Sequence, residues 1–438
     1  MIDASISKEV SSWVFDNVRW IDPSRGRDGV ERLVIDEGRL VGWGVADGDL
    51  PPHAVRVDGR GLIGGPGLVD LGTVFGEPGR EEDETLMTGL RSALAGGFTS
   101  VAMSSNTDPP LDSPATVQFV QQKAAKAALA RLYPLGCVSK NRQGEELAEI
   151  GSLVEAGVIG LSDSPRALEN TALMRRALEY CSMFQCPLLD HPEVLGLTRG
   201  GVMHEDMTQL VLGLPPIPAE AEDLATARDL RLVEATGGRL HLMCLSTAGS
   251  VELCRYAKTR DVAFTAGMYV ANTHMLDEEL RSFDANCKIN PPMRSRRHVE
   301  ACLEGLADGT IDILSSGHRP CSLEKKMQEL DVAPFGMVAL ETAVGQVATH
   351  LIHRGVIDWA KAFAKLSTHP ARLLGIDAGT LREGGPADLV LIDPIRRWTV
   401  DAPAMQTKAY NTPLHGRELT GQVVATLVAG QCLYRSTP

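Results

Sequence analysis

Eight times between residues 64 and about 370, a short apolar run ends in a small or polar cluster and gives way to a longer amphipathic stretch. The strand-like runs are "GLVDLGTV" (67–74), "FTSVAMSS" (98–105), "RLYPLGCVS" (131–139), "GVIGLSD" (157–163), "CPLLDHP" (186–192), "RLHLMCLS" (239–246), "DVAFTAGMY" (261–269) and "IDILSSGH" (311–318). Between them lie helical patterns such as "DETLMTGLRSALAGG" and "ENTALMRRALEYCSMF". Strands that alternate with helices imply a parallel sheet. Eight such units predict an α/β chain folded as a (β/α)8 TIM-like barrel, with a doubly wound open sheet as the alternative.

The two ends read differently. "WVFDNVRWID", "RLVIDEGRLVGWG" and "AVRVDGRG" near the start, and "ADLVLIDP", "RRWTV" and "QVVATLVAGQCLY" near the finish, are strands without a long helix. The simplest packing joins them into one small β-sandwich, residues 1–63 with 376–438, beside a barrel of residues 64–375. The balance of 44% hydrophobic and 23% charged residues is that of an ordinary globular protein. The net charge of −13, with no basic cluster longer than Arg294–Arg297, argues against nucleic acid or an anionic membrane as partner. The first fifteen residues show no basic segment followed by an apolar one, and no apolar run is long enough to span a membrane. Nine scattered cysteines without a CxxC read as reduced thiols, so a cytoplasmic location is expected.

In such a barrel the chemistry belongs at the C-terminal strand ends. The stretch "GLVDLGTVFGEPG" (67–79) lies there, yet Gly72, Val74 and Gly76 carry no reactive group. The other strand ends offer Ser105-Asn106-Thr107, Ser162-Asp163-Ser164, Asp190-His191, Cys244 with Ser246, Gly267-Met268-Tyr269 and Gly317-His318 with Cys321.

Several stretches together resemble the dihydroorotase family of the amidohydrolase superfamily. "GGPGLVDLGTVFGEPG" is similar to PGxxDxHxHxREPG, "MSSNTDPPLD" to MPNTxPxxD and "GLSDSP" to FSDDG. "KINPPMR" is similar to KxNPPLR, "SSGHRPC" to ATDHAPH and "APFGMVALETAVG" to APFGxxGLETAL. "LSTHPARLLGI" and "GGPADLVLIDP" resemble the family's C-terminal segment, so the likeness runs from about residue 14 to the end. Hydantoinase relatives use a carboxylated lysine, and the one lysine near that place is Lys140. The resemblance implies interconversion of carbamoyl aspartate and dihydroorotate at one or two zinc ions. It also implies that the metal and substrate positions fall here on Gly72 and Val74 (two His), Gly76 (the carboxylate-gripping Arg), Ser164 (Asp), Cys244 (His), Gly317 (Asp, ligand and base) and Cys321 (His). Two further family His fall on Gly267 and Met268. His191 alone of the metal ligands is kept, and Asn106, Asn290 and the Phe335-Gly336 backbone remain of substrate binding.

Zinc needs three or four N, S or O donors, and one histidine does not supply them. The expectation is therefore a chain without cofactor or catalytic residues. Within the resemblance, non-catalytic dihydroorotase homologues partner the aspartate carbamoyltransferase catalytic chain, which implies a structural or assembly role, with self-association also expected. Two alternatives stand: an active cyclic-amide hydrolase with an atypical zinc centre built from His191 with Cys244, Cys321 or His318, and a ligand-binding sensor that does no chemistry. His318, with no carboxylate near it in sequence, reads as structural, and Ser162, Asp163 and Ser164 read as a helix cap or turn.

Overall fold

The structure, a computed structural model, describes residues 10–436. The N-terminal stretch read for a leader begins in residues 1–9, outside the described residues.

Parallel pairing runs from Leu68–Thr73 through Phe98–Met103 to Arg131–Pro134. A second parallel arc runs Leu188–Asp190, Leu240–Leu242, Phe264–Tyr269 and Ile313–Ser315. Leu161 joins the arcs, bridging to the chain at Gly136 on one side and to Leu188 on the other. The ring closes where Val74 N donates to His318 O at 3.0 Å and Ser316 N donates to Asp70 Oδ1 at 2.6 Å. Eight positions thus close into the expected barrel.

Two strands are shorter than their sequence patterns. The third ends at Pro134, which has no N–H to continue the ladder. The fourth, expected over 157–163, shrinks to bridges at Leu161. A Cβ on Gly160 would stand 2.8 Å from Leu189 Cδ1, so the chain crosses its neighbour too closely for a full strand of side chains.

Val69, Leu71, Ala102, Leu135, Leu189, Met243 and Ile313 fill the barrel interior as packed core. Outside it lie helices including Leu86–Ala95, Pro114–Ala127, Thr171–Met183, Glu220–Thr236, Ala248–Lys258 and Arg296–Asp308. Thr85, Ser113, Asn170 and Thr247 each accept a backbone N–H at a helix start. A cap of this kind contributes about 1 kcal/mol.

Strands from both ends of the chain share one eight-stranded sheet. Its order is Gln431–Arg435, Glu418–Val428, Leu389–Thr399, Ile63–Pro66, Trp13–Asp22, Arg27–Asp36, Arg39–Trp43, with Val55–Asp58 beside Trp13–Asp22. Trp13, Phe15, Trp20 and Leu33 from the first arm share a core with Leu389, Leu391, Ala425 and Leu427 from the last. "ADLVLIDP" and "RRWTV" form one strand rather than two, with a register shift between Asp393 and Arg397 absorbing the irregular step. Among the described residues no helix is long and apolar enough to cross a membrane.

Candidate functional site

Gly72 sits at the end of the first barrel strand with φ +74°, where the register to the next strand shifts. A Cβ there would lie 2.2 Å from Met243 Cε, because the Met243 thioether fills the space above it. At Gly317, φ +71°, a Cβ would lie 2.8 Å from the Tyr269 ring. At Gly76 it would lie 2.0 Å from Arg80 O, since the chain turns back and Arg80 N donates to Gly76 O at 2.7 Å. Contacts under about 3 Å are not made by real Cβ atoms. The Arg80 backbone at Gly76 and the Tyr269 ring at Gly317 leave no room for a side chain, while at Gly72 the positive φ disfavours one and the movable end of Met243 lies where it would start.

His191 Nδ1 lies 3.1 Å from Cys244 Sγ, and its Nε2 lies 3.7 Å from Glu193 Oε2. Glu193 in turn accepts from Asn290 Nδ2 at 3.3 Å. The row Cys244–His191–Glu193 has the connectivity of a nucleophile, base and orienting carboxylate. The thiol is nevertheless buried, and burial pushes it well above the usual thiol range. A protonated, enclosed thiol is a poor nucleophile. Cys321 does not join the pair. Its Sγ lies 3.9 Å from Arg319 O and 3.8 Å from Phe335 O, and its N–H donates to Asn411 Oδ1 at 3.0 Å.

His318 has a carboxylate partner after all, supplied from a distant part of the chain. Its Nε2 lies 3.7 Å from Glu84 Oε2, and its Nδ1 accepts from Ala339 N at 3.1 Å. Burial works to raise the Glu84 carboxyl, but the nearby His318 ring and hydrogen bonds from Thr407 and Thr88 outweigh it and leave Glu84 below its ordinary range. Glu84 is spent on holding loops together, and His318 Nε2 stays buried without a hydrogen bond.

Asp163 is not a helix cap. It accepts from Val138 N at 2.9 Å, from Ser139 N at 3.2 Å and from Ser139 Oγ, tying the third strand's loop to the fourth. Ser164 N donates to Ser162 Oγ at 3.1 Å, which is the turn expected there. Val74 is buried beside this turn's cavity. Lys140 pairs with Glu146 at 2.8 Å, away from the mouth.

The expected substrate remnants are mostly engaged. Asn106 Oδ1 accepts from Arg142 Nη1 at 2.5 Å. Gly336 N donates to Lys288 O at 3.0 Å, and Lys288 Nζ lies 4.9 Å from the centre of the Phe335 ring. Asn290 and Gly336 line the mouth cavity together with Gly72, Val74, Ser164, Gly317, His318 and Arg319. That cavity admits the centres of water-sized spheres over only about 30 Å³. One water takes about 10–15 Å³ on that measure, so there is room for two or three.

Among the described residues no group of three or more His, Cys, Asp or Glu side chains stands where it could hold a metal ion. The residues at the mouth do not fit zinc: His191 and Cys244 are two donors where three or four are needed, and Gly72 and Gly317 add none. Pattern reading of the sequence passed over Met243, Glu84, Arg80, Arg142 and Arg319. A signal existed for Arg319 alone, a charge in "SSGHRPC" where the resembled pattern carries alanine.

A family described as Dihydro-orotase-like matches residues 59–250, and one described as Amidohydrolase family matches residues 211–433. A Rhodopirellula baltica protein named "Putative dihydroorotase" is 47% identical over 98% of this chain and 94% of its own length. A dihydroorotase of Pelotomaculum thermopropionicum is 42% identical over 94% of this chain and 96% of its own. The solved L-hydantoinase (dihydropyrimidinase) from Arthrobacter aurescens superposes with a TM-score of 0.86 at 20% identity, covering 98% of this chain and 97% of that one, a likeness of fold.

Proposed function

The chain belongs to the dihydroorotase family of amidohydrolases, and from that premise we propose that it is a non-catalytic member serving as a structural subunit. The proposed partner is an aspartate carbamoyltransferase catalytic chain, and the proposed setting is pyrimidine biosynthesis. The observation that carries the reading is the packing at Gly72, Gly76 and Gly317, where Met243, the Arg80 carbonyl and Tyr269 fill the ligand positions. A site that had lost its ligands by single substitutions would leave holes. These positions are packed, as in a fold selected for shape.

Apolar surface on the loop after the fifth strand supports the same reading. Met207 and Val211 are 70% exposed and Leu210 69%, all on the short helix Met207–Leu212. Contiguous apolar exposure of this kind commonly marks a protein interface.

Coexpression with an aspartate carbamoyltransferase catalytic chain, followed by size-exclusion chromatography, tests the proposal. One mixed peak is expected, and Leu210→Asp with Val211→Asp should split it. The named relatives make the catalytic alternative concrete, so the isolated chain is also assayed for dihydroorotate formation and hydrolysis, with no turnover expected. Separate elution of the two chains defeats the assembly role. Turnover that survives removal of host enzyme defeats the non-catalytic reading.

A further inference from the structure

Arg319 lines the barrel-mouth cavity, and two further guanidinium groups, those of Arg80 and Arg142, meet at Asn106. Arg80 Nη2 donates to the carbonyl of Asn106, and Arg142 Nη1 donates to the side-chain oxygen of the same residue. Arg142 is fixed further by Asp163 O, which accepts from Nη2 at 2.7 Å and Nε at 3.1 Å. The next residues, Ser164 and Pro165, line the mouth cavity together with Arg319. Among the described residues none of the three arginines forms an ion pair, and the Arg319 side chain makes no hydrogen bond. Arg80 Nε is buried and unpartnered.

The carboxylates nearby are committed elsewhere. Asp83 pairs with Lys325 at 2.7 Å and accepts from Ser322 N at 2.8 Å. Glu82 also pairs with Lys325, at 2.8 Å. Asp163 is saturated by the loop at 138–139. Burial, with the neighbouring guanidinium charges adding to it, holds Arg142 and Arg319 below their ordinary range. Unneutralised like charges in a partly buried place destabilise the fold unless something else compensates them.

We infer that Arg319, flanked by Arg80 and Arg142, forms a binding site for a small oxyanion, a phosphate or carboxylate group. The guanidinium fork matches two oxygens of either group. The opening beside Arg319 is lined by Ser164, Asn290, Gly317 and Gly336. Arg319 contacts the anion, while Arg80 and Arg142, both anchored on Asn106, supply the surrounding field. The site differs from the family's arginine position, which is Gly76 here, and it stands whether or not the chain has a protein partner.

Isothermal titration of the full chain, purified without phosphate and held at constant ionic strength with chloride, tests this with two probes. Inorganic phosphate and succinate are titrated separately at millimolar concentration. Saturable binding of either is expected, accompanied by a raised unfolding temperature. Phosphate alone would assign the site to phosphate esters, succinate alone to carboxylates, and both to oxyanions generally. Arg319→Gln should weaken binding at least about tenfold, as expected for loss of one charge-assisted pair. Arg255→Gln, which alters a surface pair with Asp308, should leave binding unchanged. Phenylglyoxal labelling of Arg319 in the unaltered chain gives a readout that needs no variant, and bound anion should slow it several-fold. Absence of saturable binding with both probes overturns the site, as does labelling of Arg319 that is indifferent to them.

Discussion

A histidine at residue 72 would meet two obstacles that have separate energies. The backbone lies at φ +74°, where a side chain costs about 1–3 kcal/mol. The Cβ would also meet Met243 Cε at 2.2 Å, the end of a flexible side chain that can shift, so the packing cost falls at the low end of overpacking, about 1 kcal/mol. Gly72→His is therefore expected to lower the unfolding free energy by about 2–4 kcal/mol in urea denaturation. Adding Met243→Ala should return part of the loss, because only the packing component is relieved. A Gly72→His chain as stable as the parent would show that the mouth is looser than the packing indicates. The same reasoning bears on rebuilding a metal centre. Gly72→His, Val74→His, Ser164→Asp, Cys244→His and Gly317→Asp restore donors in name, but Met243 and Tyr269 still occupy their space.

Between elements, Asp163 is the clearest case of a residue whose role comes from its partners. It stands on the short fourth barrel element and accepts three hydrogen bonds from the loop after the third. Asp163→Ala would leave two buried N–H groups unpaired, at about 1–3 kcal/mol each. A loss of about 2–6 kcal/mol is expected by chemical denaturation, with Asp163→Asn recovering some of it through one remaining acceptor. A neutral result would mean the loop repairs its own donors. This element also marks how far the sequence could be read. Seven barrel strands announce themselves by apolar runs, because strands buried on both faces must be apolar along their length. The fourth run, 157–163, was equally visible in the sequence, but its two glycines shorten the pairing to Leu161. Terminal strands were legible by alternation, and their joining followed from both lacking helices; the sequence reading made them a small sandwich, and the structure pairs them in one eight-stranded sheet. The partners of single side chains were not legible. Glu84 reaches His318, and Arg142 reaches Asn106, across long stretches of chain that periodicity does not connect. Periodicity reports which face is buried, and says nothing about which donor meets which acceptor there.

At the scale of the molecule, buried histidines set the response to acid. His204 and His241 are both held down to about 3, and His298 and His350 to about 4, with burial as the leading cause in each. A histidine with a depressed folded-state value binds its proton only after unfolding. Its contribution is present above the unfolded value near 6.5 and is lost as pH falls through the window down to the folded value. His241 is the cleanest member, fully enclosed on the sixth barrel strand, with Nδ1 2.8 Å from Thr265 Oγ1 and Nε2 unpartnered. Between pH 7 and pH 5 it should remove about 2 kcal/mol of stability. Asp70 and Asp163 act in the opposite sense, since burial raises both carboxyls and the folded state holds their protons more tightly. The whole-chain profile therefore mixes the two signs, and the difference between parent and variant isolates one group. His241→Gln carries no titrating group at that position. Its loss of stability from pH 7 to pH 5 is expected to be about 2 kcal/mol smaller than the parent's, whatever its absolute stability. Urea titrations of both chains at the two pH values measure it. Equal losses would mean that His241 takes its proton inside the folded barrel, and the barrel interior would then have to admit water or open locally at the sixth strand.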